Sequence, residues 1–294
     1  MEYSKKLNPI ARNIKPSGIR EFFGIAATRK DCISLGVGEP DFSTPTVFSQ
    51  AGIKSINAGK TQYTANAGLL ELREAISAYT KSFIGVEYDP NSEIIITVGA
   101  SEGVDASFRA IIAPGDEVLI PEPCFVCYEP LVRLCGGVPV PIDCKIENEF
   151  KLTAEQLESS ITPKTKCLLL SYPNNPTGAI MEKEDLEKLV PIIKKHDLLV
   201  LSDEIYGELV YDDAKFTSIA SLDGMRERTI LVSGFSKYFA MTGWRLGYVC
   251  APKEIIDVIY KIHQFAIMCA PTSAQYVALE ALNASFKDGF EEVE

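Results

Sequence analysis

The sequence predicts a three-layer α/β/α fold built on a mostly parallel, seven-stranded sheet. Three observations carry this. From about residue 92 short apolar runs alternate with amphipathic segments, the pattern of strands in one layer with helices packed over them. The turns at Gly99, Pro121–Pro123 and Pro176–Gly178 each sit at the carboxyl end of an apolar run. The chain has 294 residues, 46% of them hydrophobic, enough to bury a large core.

Seven runs read as strands: Ile94–Val98, Glu117–Ile120, Val138–Ile142, Lys166–Leu170, Leu198–Ser202, Thr229–Val232 and Gly247–Ala251. Helices fit between them at Glu102–Ile112, Cys127–Cys135 and Lys183–Lys195, and a further one is expected from Ala274 to Asn283, continuing toward Phe286. The first forty residues lack the alternation and contain Pro9, Pro16 and Pro40, so they read as an arm leading into the domain. In such sheets ligands bind at the carboxyl ends of the strands, where loops and helix amino termini converge.

The formal charge of −11, without a basic run, argues against nucleic acid as a partner, because binding a phosphate backbone needs clustered Lys and Arg. The amino terminus lacks the apolar stretch of a signal peptide, and no run has the length of a membrane span, so a soluble, cytoplasmic protein is expected. The eight cysteines read as reduced thiols, several in apolar strands; Cys124 and Cys127 form a C-x-x-C, but His196 and His263 offer no matching zinc-ligand cluster.

Chemistry concentrates in Ser233-Gly-Phe-Ser-Lys-Tyr-Phe-Ala-Met-Thr-Gly-Trp-Arg-Leu-Gly-Tyr248. Lys237 sits here in a Gly/Ser-rich turn after a strand. An amine attacks an aldehyde only when unprotonated, and its pKa falls on desolvation or beside another cation. Arg245, eight residues on, supplies such a charge and has the planar fork that suits a phosphate. Leu199-Val-Leu-Ser-Asp-Glu-Ile-Tyr206 is an apolar run ending in a carboxylate, which projects Asp203 at the strand edge. Val98-Gly-Ala-Ser101 places backbone N–H groups and a hydroxyl at a helix amino terminus, which attracts anions. Taken singly, each feature has an ordinary alternative: a surface lysine beside a structural arginine, a helix cap at Asp203, a plain turn at Asn175-Pro-Thr-Gly178, a core phenylalanine at Phe125, a turn glycine at Gly38.

Together they resemble the class I/II aminotransferases of fold type I, the aspartate aminotransferase-like enzymes that depend on pyridoxal 5'-phosphate. The resemblance covers Ser34 to Leu282, with its motifs in the family's order. It implies that Lys237 forms the Schiff base and then acts as base and acid, and that Ala100, Ser101, Ser236 and Arg245 hold the phosphate. Asp203 then pairs with the pyridine nitrogen, keeping the ring an electron sink. Tyr206 and Asn175 flank the 3'-oxygen, Phe125 stacks on the ring, and Gly38 with Asn175 approaches the substrate. Tyr63 matches a tyrosine that reaches the cofactor of a neighbouring subunit, which implies a homodimer.

The implied reaction moves an amino group between an L-amino acid and a 2-oxo acid. A carbon–sulfur β-lyase and a non-catalytic pyridoxal phosphate-binding module are the alternatives; a nicotinamide dehydrogenase is disfavoured because no G-x-G-x-x-G follows a strand. The organisation expected is an amino-terminal arm and small-domain segment at 1–45, a large cofactor-binding domain at 46–282, and at 283–294 the start of a small domain. Family members continue further, so most of that small domain is expected to be lacking, and substrate handling to be poor.

Overall fold

Ile95, Val232 and Val249 face one side of a central sheet, and their neighbours Ile94, Ile96, Leu231, Tyr248 and Cys250 face the other, as the two-residue period of a strand requires. The computed structural model describes residues 1–16, 18, 28, 29, 31 and 38–288. Much of the expected arm, Cys32 and residues 289–294 thus lie outside the described residues.

Seven strands form one sheet among the described residues: β1 (Ile94–Thr97), β2 (Glu117–Glu122), β3 (Val138–Asp143), β4 (Thr165–Leu170), β5 (Leu199–Asp203), β6 (Thr229–Gly234) and β7 (Gly247–Cys250). The order is β1-β7-β6-β5-β4-β2-β3. All pairs from β3 to β6 are parallel, whereas β7 runs antiparallel to both β6 and β1. All seven expected strands are present, with ends shifted by a residue or two.

The α-helices among the described residues are α1 (Pro9–Asn13), α2 (Thr46–Asn57), α3 (Leu70–Ile84), α4 (Gly99–Ile111), α5 (Tyr128–Leu134), α6 (Ala154–Ser160), α7 (Lys183–Lys195), α8 (Lys253–Ala266) and α9 (Thr272–Asp288). One face of the sheet is covered by α4, α5 and α8 through Val104, Phe108, Val132, Ile256 and Ile259. The other is covered in two patches. There α7 packs Leu186, Leu189 and Ile193 over β4 and β5, while α3 and α9 pack Leu72, Ile76, Val277 and Ala281 beside β1 and β7. This is the expected three-layer arrangement, with strands buried on both faces.

Gly103 of α4 allows its close approach to the sheet, since a Cβ there would lie 2.9 Å from Val249 and 3.0 Å from Val232. The approach brings the helix amino terminus to the carboxyl ends of β1 and β6. At the other end of the chain, α9 runs past residue 282 without a break. No helix among the described residues is long and apolar enough to cross a membrane.

Candidate functional site

The connection from β6 to β7 holds Lys237 over the sheet edge. Its Nζ donates to the carbonyl oxygen of Gly38 at 2.5 Å and stands 5.4 Å from the centre of the Tyr206 ring. Desolvation pulls the amine below the ordinary lysine range; Glu39 opposes this and Arg245 adds to it. More of the amine is therefore uncharged than in a surface lysine. The segment after Gly38 is strapped to the same connection. Thr242 Oγ1 donates to Glu39 Oε1 at 3.0 Å, and Thr44 Oγ1 both donates to the Ala240 carbonyl at 2.6 Å and accepts from Trp244 Nε1 at 3.0 Å.

Asp203 ends β5 and is 6% exposed. Burial pushes its carboxyl above the usual range, while the Tyr128 hydroxyl and the Ile205 N–H pull it back. Tyr128 Oη lies 2.9 Å from Asp203 Oδ2 and 2.9 Å from Ser171 Oγ. A phenol has one proton, so it donates to the carboxylate and accepts from the serine. No helix starts at Asp203, and its carboxylate is turned to Tyr128 and Ile205 rather than spent on a cap.

After β4 the two adjacent asparagines divide their work. Asn174 is buried and shapes the loop: its Nδ2 donates to the carbonyls of Pro123 and Ser171, and its Oδ1 accepts from the Thr177 N–H and hydroxyl. Asn175 lines the cleft beside Tyr206, whose phenol is pushed up by burial and by Asp203 and pulled back by the Asn175 side chain. Phe125 is 36% exposed and meets Tyr128 edge to face at 5.9 Å between ring centres. Burial pushes the Cys124 thiol up to about 12 and the Cys127 thiol higher still, so neither is a thiolate near neutral pH.

An anion-binding corner forms where α4 meets β7. Val98 stands at the N-cap without a side-chain bond, leaving the first-turn N–H groups free of a capping oxygen. Gly99 has φ +75°, and a Cβ on it would come within 2.5 Å of Arg245 Nη2; a Cβ on Gly247 would come within 2.5 Å of the Ala100 nitrogen. Glycine at both positions lets the guanidinium and the helix amino terminus converge. Arg245 is exposed and is steadied by a bond from Nη1 to the Thr242 carbonyl at 2.9 Å. This donor set, with a desolvated amine and a buried carboxylate in the same cleft, fits a phosphorylated pyridine aldehyde.

One cleft of about 2470 Å³ contains Gly38, Ala100, Ser101, Phe125, Asn175, Asp203, Tyr206, Ser236, Lys237 and Arg245. That volume exceeds the roughly 300–1,000 Å³ of an enclosed small-molecule pocket, so this is an open groove. Tyr63 does not line it and is 76% exposed. Tyr128, Ser171, Glu39 and Thr242 belong to the site's bonding yet were not singled out from sequence. Among the described residues no three His, Cys, Asp or Glu side chains group as metal ligands.

The family model described as aminotransferase class I and II matches residues 30–293. A Bacillus subtilis protein named as an aminotransferase, YugH, is 54% identical over 288 residues, which is 98% of this chain and 73% of that protein. The aspartate aminotransferase of Pyrococcus abyssi is 49% identical over 269 residues, 92% of this chain and 69% of the relative. Among solved structures, the Thermus thermophilus aspartate aminotransferase with maleate superposes with a TM-score of 0.91 at 38% identity, covering 95% of this chain and 73% of that one.

Proposed function

This chain belongs to the class I and II aminotransferases, pyridoxal 5'-phosphate enzymes that pass an amino group between an amino acid and a 2-oxo acid, and from that premise we propose which of its residues do the work. The observation that carries the assignment is the meeting, in one cleft, of the desolvated Lys237 amine with the buried Asp203 carboxylate and the Arg245 corner.

The first turn of α4, with Ala100 and Ser101, joins Ser236 and Arg245 to hold the phosphate. Asp203, kept in place by Tyr128, takes the pyridine nitrogen. Tyr206 and Asn175 take the ring oxygen, and Phe125 covers one ring face and keeps water from it. When bound, pyridoxal phosphate supplies the electron sink that stabilises charge at the substrate α-carbon. Lys237 Nζ would be the amine that anchors the cofactor through its aldehyde carbon, and, once freed by the substrate amine, it would take the proton from the substrate α-carbon and deliver it to the carbon that bore the aldehyde, as base and acid in turn. The backbone at Gly38, already within reach of Lys237 Nζ, borders the place of the substrate carboxylate.

A homodimer is part of the same proposal. Tyr63, Phe265, Ile267 and Met268 are exposed at 76%, 87%, 41% and 45%. Bonds from Asn66 Nδ2 to the Met268 carbonyl and from Thr272 Oγ1 to the Gln62 carbonyl bring their two segments together, which supports a shared apolar contact face. The proposal also divides the chain into domains at 45 and 282 and places the protein in the cytoplasm.

The test is chemical. Borohydride reduction of the protein loaded with pyridoxal phosphate, followed by peptide mapping, is expected to leave the pyridoxyl group on Lys237. Label on another lysine, or labelling unchanged in Lys237→Ala, overturns the assignment.

A further inference from the structure

We infer that His263 and Glu102 form a positioning pair that holds the phosphate-binding turn from behind, an inference that rests on the reading of Val98–Ser101 as that turn. An oxygen-bearing side chain at the N-cap of α4 would ordinarily define the turn, but it would also bond to first-turn N–H groups that an anion needs. Val98 stands at the N-cap and makes no such bond. Glu102 supplies the definition differently. From within the first turn its Oε2 reaches back and accepts from the Val98 N–H at 2.5 Å, upstream of the N–H groups of Gly99, Ala100 and Ser101.

A carboxylate in the first turn of an anion-binding helix carries a hazard. Swung toward the cleft, it would compete with the phosphate for the same donors and repel it. His263 prevents this. Its Nδ1 lies 2.6 Å from Glu102 Oε1, and because a carboxylate only accepts, the proton between them sits on the imidazole. His263 belongs to the last turn of α8, is fully buried, and is 161 residues from Glu102 in the chain, so the bond fixes the start of α4 to a neighbouring helix.

The residue type argues the same way. His263 Nε2 is buried with no hydrogen-bond partner among the described residues. A leucine would fill the place without an orphaned nitrogen, so local packing does not account for the histidine. What it adds is the bond to Glu102.

The experiment compares pyridoxal phosphate with pyridoxal. Both offer Lys237 the same aldehyde, so the ratio of their affinities for the apo-protein isolates the phosphate. Dissociation constants from absorbance titration and the thermal midpoint are measured for wild type, His263→Leu, His263→Asn and Glu102→Ala. Losing a charge-assisted bond at this point is expected to lower pyridoxal phosphate affinity roughly tenfold in His263→Leu, with pyridoxal affinity unchanged. His263→Asn, whose amide nitrogen can stand near the place of Nδ1, is expected to restore it to within about threefold. Glu102→Ala, at a partly exposed position, removes the acceptor without emptying a core site, and keeps the test decisive should His263→Leu not fold. A preference for pyridoxal phosphate that survives in both His263→Leu and Glu102→Ala overturns the pairing, as does an equal loss for both ligands. If wild type itself shows no preference for the phosphorylated form, the reading of the turn fails, and the pairing with it.

Discussion

The Tyr128 hydroxyl donates to Asp203 Oδ2 at 2.9 Å across 75 residues of chain, so the carboxylate at the end of β5 is held by a side chain from the first turn of α5. The Ile205 N–H is the other group that keeps this buried carboxyl from rising further.

Tyr128→Phe is expected to keep the fold while raising the Asp203 pKa. A bond to a charged group contributes about 1.5–3 kcal/mol, and losing it leaves burial less opposed, so the carboxyl moves further up. Asp203 acts as the carboxylate, present above its pKa, so the acid limb of the kcat profile should move to higher pH while the alkaline plateau changes less. Superimposable pH profiles for variant and wild type would show that the bond has no bearing on the chemistry.

Gly99→Ala tests the phosphate corner. A Cβ at φ +75° is strained, and here it also lies 2.5 Å from Arg245 Nη2. The backbone cost is about 1–2 kcal/mol, and displacement of the guanidinium should weaken pyridoxal phosphate binding as well. Calorimetric unfolding and cofactor titration read the two effects separately; unchanged cofactor affinity would remove Arg245 from the corner.

Glu204 is buried beside Asp203, and burial raises its carboxyl from 4.5 to about 7 while the hydroxyls of Ser202 and Ser218 donate to it. Between those values the unfolded chain releases a proton that the folded chain keeps, so stability falls as pH rises through the window, by about 1.4 kcal/mol per unit. Glu204→Gln retains an acceptor for both serines and cannot ionise. Its stability relative to wild type should therefore grow by on the order of 2 kcal/mol between pH 5 and pH 7 in urea unfolding. A constant difference would mean that Glu204 is already ionised at pH 5. Glu208, half-buried but desolvated around its carboxyl, keeps part of the slope in both proteins.

Phe265→Asp addresses assembly. The side chain is 87% exposed, so the substitution should leave the protomer fold intact and place a charge in the proposed contact face. Light scattering is expected to show a dimer for wild type and a shift toward monomer for the variant. A wild-type monomer that still binds pyridoxal phosphate tightly would contradict the assembly.

The strands were legible because each is an apolar run closed by turn residues, as Ile94–Thr97 before Gly99 illustrates. Several helices were not. On α2 the buried residues are Phe48, Gly52 and Ser55, a face without an apolar stripe, since Gly52 lies close against Val277 and Trp244. On α8 the apolar spacing of Ile256 and Ile259 passes into His263, whose burial depends on a partner in α4. At the site, the residues carried by motifs, from Lys237 to Arg245, line one cleft. Tyr128 and Ser171 acquire their relation to Asp203 only when β4, β5 and α5 are brought together, and no spacing along the chain encodes that.

The reversed strand β7 gives the β6–β7 connection a particular character. Gly234 pairs with Gly247, so the twelve residues between them form a loop tethered at both feet to a single rung of the sheet. Lys237 and Arg245 are both fixed on that loop, like two stones in one ring. A residue added or deleted between Lys237 and Arg245 would change the distance between the amine and the guanidinium, because the short helical turn at Thr242–Trp244 and the paired feet leave little slack. Substitutions there can be accommodated one side chain at a time, but a change of length cannot. In this part of the molecule the count of residues is itself a catalytic dimension.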